Sequence, residues 1–194
     1  MSRRLAAAFA IAAVAIAGAW ILFVALPRSY APKPVVQATA APPPPVAERK
    51  ITATLYFVSE DGLALVGVQR EVPFGEQMLD QARQIVEAQL KDAPPPLASA
   101  IPPGTTLRAL YITDRGEAFV DLSGDARTKH PGGAIDEIFT VYTIVNAITV
   151  NLPAIQRVQI LVDGKEVDTL AGHVDLRHPL QKNLKWIKTD KEPS

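Results

Sequence analysis

The sequence predicts an α+β domain of order ββα-ββα-ββ, an antiparallel sheet packed by two helices, preceded by one transmembrane helix. Three observations lead there. Alternating β-branched and aromatic runs flank acidic-Gly turns at three places. Two segments between them carry apolar residues at helical spacing. Ahead of all this, Leu5–Leu26 is an apolar run of 22 residues with no charge inside it.

A hydrocarbon core of roughly 30 Å needs about 20 helical residues to cross it, and Leu5–Leu26 meets that length. Ala15-Ile16-Ala17 and Ala17-Gly18-Ala19 fit the small-residue cleavage pattern of a signal peptide. Cleavage after Ala19 leaves Trp20–Val24 still apolar at the new end, so the run reads as a retained signal-anchor. Arg3 and Arg4 before it, against Arg28 and Lys33 after it, favour the N-terminus inside and the remainder outside. The chain holds no cysteine, which excludes a disulfide, a thiol nucleophile and a lipid carried on cysteine. The expected division is 1–26 for the short N-terminus and span, 27–50 for a linker, 51–176 for the domain and 177–194 for a basic tail.

The linker carries seven prolines, Pro27, Pro32, Pro34 and Pro42 through Pro45. Each fixes φ and lacks an N–H, so helix and sheet are both denied. As polyproline II the segment reaches up to roughly 75 Å, a semi-rigid spacer.

Within the domain, the first hairpin runs Ile51–Val58, Glu60-Asp61-Gly62, Leu63–Val72. The second runs Leu107–Thr113, Asp114-Arg115-Gly116, Glu117–Leu122. The third runs Val158–Val162, Asp163-Gly164, Lys165–Leu170. Gly75–Leu90 sets Met78, Leu79, Ala82, Ile85, Val86 and Leu90 on one helical stripe. Ala134–Leu152 does the same with Ile135, Ile138, Phe139, Tyr142, Val145, Ile148 and Leu152, and Asp136 and Glu137 suit its positive first turn. Its Thr140–Val145 stretch is β-branched, but the sustained spacing decides for helix. Pro131-Gly132-Gly133 leads into it.

Residues 51–176 hold nine basic and seventeen acidic residues, and 177–194 hold five and two. An acidic body argues against nucleic acid, whose phosphates need a basic footprint. His173-x-Asp175-x-x-His178 is the cluster with metal-ligand residue types, but it offers three ligands at most and Pro179 interrupts it. It reads as an exposed strand end. Ser59, Ser99 and Ser123 lie in no nucleophile elbow and beside no histidine. The adjacent pairs Glu60-Asp61 and Asp136-Glu137 diverge in direction, as a turn and a helix start require, rather than flanking a glycosidic bond. Pro131-Gly132-Gly133 lacks phosphate-loop spacing and reads as a helix-leading turn. No catalytic residue, metal or cofactor is expected. Arg70, a cation near the end of an otherwise apolar strand pair, is expected to dock a carboxylate within the fold or on a partner. The tail residues Lys182, Lys185, Lys188 and Lys191, interleaved with Leu184, Trp186 and Ile187, form a candidate contact for anionic lipid or wall polymer, set against a solvated chain end.

Taken together, Leu55-Tyr56-Phe57, Arg70, the Gly75–Leu90 helix, Ile101-Pro102-Pro103-Gly104-Thr105, Gly116–Ser123 and Val158–Gly164 resemble the GerMN domain of bacterial sporulation and spore-germination proteins. The resemblance covers about residues 51–175. Where that family commonly shows Gly-Pro after the first helix, Lys91-Asp92-Ala93-Pro94-Pro95-Pro96 stands here. The resemblance implies an extracytoplasmic, non-enzymatic module of the bacterial envelope and brings no catalytic residues with it. The expected function is that of a membrane-anchored interaction or scaffold module with an envelope protein partner or a second copy. The alternative is a peptidoglycan-binding or hydrolysis accessory.

Overall fold

The structure, a computed structural model, describes residues 3–25 and 49–188. The linker prolines and Lys191 lie outside the described residues. Two compact units divide the chain, Met1–Val46 and Ala47–Ser194.

In the first unit, helix α1 spans Arg3–Trp20 and passes into a wider π-helical turn over Ile21–Ala25. The expected single α-helix across Leu5–Leu26 is not what forms. An 18-residue helix rises about 27 Å, its first two residues are arginines, and the α pattern ends at Trp20. Among the described residues no helix is long and apolar enough to cross a membrane.

The second unit begins with β1 (Lys50–Val58) and β2 (Leu65–Pro73), an antiparallel pair in register from Lys50↔Pro73 to Val58↔Leu65. Helix α2 (Met78–Gln89) follows. It starts with its apolar stripe at Met78, three residues inside the expected Gly75–Leu90 segment, because the chain folds back at Gly75. The Gly75 N–H donates to Gln81 Oε1 at 2.9 Å, and Gln81 Nε2 donates to the Pro73 carbonyl at 3.2 Å. A Cβ on Gly75 would collide with the Gln81 backbone, so only glycine allows this approach.

Strands β3 (Leu107–Ile112) and β4 (Glu117–Leu122) form the second hairpin. After a single turn, α3 (Asp125–Thr128), comes the long helix α4 (Ala134–Asn151), then β5 (Arg157–Val162), β6 (Lys165–Glu166) and β7 (Leu180–Gln181). The single antiparallel sheet expected from the hairpins is corrected in two ways. Strands β1 and β2 form a sheet of their own, and β3-β4-β5-β6 with β7 form a second. In that second sheet β4 and β5 are parallel. The reason is topological: α4 carries the chain from the end of β4 back to the start of β5, and such a crossover delivers a parallel neighbour. The third hairpin is also shorter than its sequence pattern. Asp163 (φ 52°) and Gly164 (φ 74°) make the turn that Asp-Gly favours, but pairing stops at Glu166. Leu170 and Leu176 then turn into the core, and β7 takes the other half of the β5 edge.

Helix α4 is the organising element. Its stripe was expected to bury one side, yet Phe139, Val141, Ile144, Val145, Ala147 and Ile148 are all buried, while Ile135 is exposed. One side packs in the larger core with Leu110, Val120, Leu122, Val158 and Ile160. Another meets the smaller core of Leu55, Phe57, Val72 and Ile85 through Ala147.

Strand β1 has one edge on β2 and turns the other toward the helices. That edge is closed by side chains. Asn151 accepts from the Thr54 N–H and donates to the Thr54 carbonyl, both at 2.8 Å. Gln89 does the same for Tyr56, again at 2.8 Å on both sides. Thr143 adds a hydroxyl bond to the Tyr56 carbonyl at 2.6 Å, and Val58 pairs with the backbone of Ala98. Two carboxamides thus stand where a third strand would lie, satisfying groups that are costly to bury unpaired.

Gln89 is 1% exposed. Gln89→Ala should therefore lower unfolding free energy by about 2–3 kcal/mol, read by urea denaturation of the full chain. A loss under about 0.5 kcal/mol would remove the edge-closing role.

Candidate functional site

Most of the groups that sequence marked for chemistry are held in structural bonds. Ser59 Oγ donates to Asp61 and takes a bond from the Ala64 N–H at 3.2 Å, closing the first turn. Ser99 accepts from the Ile101 N–H at 3.1 Å, and Ser123 from the Thr106 N–H at 3.0 Å. Asp61 bonds Ser59 and Leu63 and meets Lys188 at 3.5 Å, which together hold its carboxyl below the usual carboxylate range.

The His173/Asp175/His178 cluster does not converge. Asp175 turns onto Arg177, whose Nε and Nη2 donate at 2.9 and 2.8 Å, and those bonds push the Asp175 carboxyl far down. His173 turns the other way, its Nδ1 lying 3.3 Å from Glu137. Among the described residues no group of three or more potential ligands is placed to hold a metal ion. Pro131-Gly132-Gly133 leads into α4 as expected; the Gly132 N–H donates to His130 Nδ1 at 3.0 Å.

Glu137 has a larger part than its place in the first turn of α4 indicated. Its side chain is wholly buried and grips the loop after β6. Oε1 accepts from the Leu170 and Ala171 N–H groups at 2.7 and 2.8 Å, and Oε2 from the His173 N–H at 2.7 Å. Burial alone would raise its carboxyl, but the N–H groups of Ala171, His173, Leu170 and Val174 outweigh that and hold it below the ordinary range. Sequence did not separate it from Asp136, its exposed neighbour in the same first turn.

Among the described residues Arg70 pairs with no carboxylate. Its guanidinium lies over the Phe57 ring, 4.9 Å from the centroid, and donates to the Asp92 carbonyl at 3.2 Å. It secures the segment after α2 to the first sheet.

The basic tail is a strap for as far as it is described. Leu180 and Gln181 pair with β5. The Asn183 backbone exchanges two bonds with the Asn146 side chain at 2.9 Å each. Trp186 sits edge-on to Phe139 with centroids 6.3 Å apart. The Leu65 N–H donates to the Trp186 carbonyl at 2.7 Å, the Lys188 N–H returns a bond at 2.8 Å, and Ile187 bridges β2 in parallel. Lys182, Lys185 and Lys188 stay exposed along this strap.

Sequence gave no warning of one groove. A cavity of about 540 Å³ opens between the α3 turn and the β5–β6 hairpin, bordered by Arg127, Lys165, Glu166, Val167 and Leu170. One wall is Asp163, whose carboxylate takes Arg108 and the Gly124 N–H (3.1 Å). A side chain on Gly124 would lie 2.6 Å from that carboxylate.

Residues 54–168, more than half of the chain, match the family model Germane, described as sporulation and spore germination. The chain belongs to the Germane family. Three solved structures share its fold. A candidate lipoprotein from Clostridium perfringens is 27% identical with a TM-score of 0.50, over 69% of this chain and 88% of that one. The first GerMN domain of the sporulation protein GerM from Bacillus subtilis is 19% identical, TM-score 0.50, over 69% of this chain and 96% of that one. The tandem GerMN domains of the same protein give 20% identity and a TM-score of 0.54, over 70% of this chain and 46% of that one. Among curated proteins none matches. The Germane match ends at Asp168, so the Glu137-gripped loop and the strap lie beyond it.

Glu137→Gln places an amide donor against N–H donors and should cost about 2–4 kcal/mol in denaturant unfolding. The sign with pH follows from the lowered folded-state value. Glu137 stabilises fully above about pH 4.5 and loses that contribution as pH falls through its lower folded value. The variant should show a flatter fall in stability below that pH; an unchanged slope would count against the loop-gripping carboxylate.

Proposed function

We propose that this Germane-family chain is a membrane-anchored, extracytoplasmic, non-enzymatic interaction module of the bacterial cell envelope. The observation that carries the reading is the fate of most of the reactive residue types: Ser59, Ser99 and Ser123 close turns and loops, Asp61, Glu137 and Asp175 hold backbone N–H groups or ion pairs, and His173 lies against Glu137. What remains outward is surface.

The anchor is supported by the uncharged run Leu5–Leu26 and by the contiguous α1 and π-turn that carry most of it. Val14, Ile16, Leu22 and Phe23 are all exposed there, from 63% to 82%, a costly arrangement in water and a favourable one in lipid. The likeness to a candidate lipoprotein fits a membrane-held domain. Arg3 and Arg4 favour an inner-membrane protein with its domain outside. The partner is an envelope protein or a second copy. The closed β1 edge directs such contact away from that strand.

Crosslinking of intact membranes, followed by capture of the full chain and of a chain lacking Leu5–Leu26, tests the proposal. A discrete protein adduct with the full chain that is lost without the run is expected. Recovery of muropeptides alone would overturn the proposal in favour of the wall-accessory alternative.

A further inference from the structure

We propose that the groove between the α3 turn and the β5–β6 hairpin binds the carboxyl-terminal end of a peptide, with Arg127 and Lys165 receiving its carboxylate. Other basic residues on the second sheet and the α3 turn already have partners. Arg108 holds Asp121 and Asp163, Lys129 holds Asp125 at 2.9 Å, and Arg157 meets Glu117 at 3.5 Å. Arg127 and Lys165 are exposed, form no ion pair with the described residues, and border one cavity. Lys91 and Lys182 also border grooves, each without a second cation. Two free cations on one concavity, within an otherwise acidic body, are a place for an anion.

The rest of the lining narrows the class. Val167 and Leu170 supply an apolar floor, and Leu170 is fixed by the bond from its N–H to Glu137. Glu166 stands on the same rim, where it repels a second acid and accepts from an amide N–H. A phosphate or a run of acidic side chains satisfies the cations but not the floor or Glu166. A peptide's last residues offer a carboxylate, an amide N–H and a small apolar side chain in one unit. The volume, about 540 Å³, lies in the range of small-ligand sites and suits two or three residues. The Asp163–Gly124 bond holds the two sides of the groove at fixed separation.

This site gives the interaction reading one partner chemistry, and it can fail separately from that reading. The test is an amide NMR titration of the full chain in detergent micelles with N-acetyl-Ala-Ala, as free acid and as carboxamide. The acid should shift Arg127, Lys165, Val167 and Leu170 and bind about tenfold tighter than the carboxamide. The double variant Arg127→Ala/Lys165→Ala should lose that preference with thermal unfolding unchanged, while Lys182→Ala keeps it. Equal binding of acid and carboxamide, shifts confined to other residues, or none up to about 10 mM would overturn the site. The L-alanine peptide should bind tighter than its D-alanine counterpart, as a protein's C-terminus requires; preference for D-alanine would overturn the site as a protein-binding one. A crosslinked partner retained by a double variant that no longer titrates would sink the site as the route to that partner and leave the interaction reading standing.

Discussion

Helix α4 lies against both sheets, so polar atoms on it have little water to turn to. Nearly every constraint in the domain traces to that condition. Thr143 and Asn151 answer strand β1, Asn146 answers the strap, and Glu137 answers the loop after β6. Among the described residues no buried side-chain nitrogen or oxygen is left without a partner. The apolar residues of α4 supply most of the driving force for collapse, but they tolerate many registers. The directional bonds select one, because each pairs a given helix position with a given backbone group.

The two layers of that selection differ in how far they could be read beforehand. Hairpins announce themselves through local chemistry: Asp163-Gly164 needs nothing beyond its own backbone preference to turn. Helices announce themselves through period. Sheet partnership does neither. The parallel pairing of β4 with β5 depends on where α4 sets the chain down, and the separation of β1–β2 depends on Gln89 and Asn151 occupying the edge where a strand would otherwise pair. Amides 33 or 97 residues along the chain from the groups they bond carry no local mark of such a role. Arg70 shows the same limit: its charge called for an acid, but the nearest available acceptors were a ring and a carbonyl.

The residues lining the Arg127/Lys165 groove were equally silent, since Arg127 belongs to a one-turn helix and Lys165 to a strand of two residues. Neither element is long enough to show a period. Their meeting comes from Asp163, which reaches across to the Gly124 backbone and draws the two short elements to one place. In the strap the reverse holds. Its lysines drew attention as charges, while the packing is done by Trp186, Ile187 and Asn183 between them.

The strap also decides how the domain would carry tension. Strand β1 starts at Lys50, and the last described strap residue, Lys188, bonds Leu65 opposite Val58 at the far end of the same hairpin. Eight residue steps along β1 separate those ends, roughly 27 Å at strand rise. A pull between a tether before Lys50 and a load beyond Lys188 therefore runs along the strands, across the direction of their hydrogen bonds.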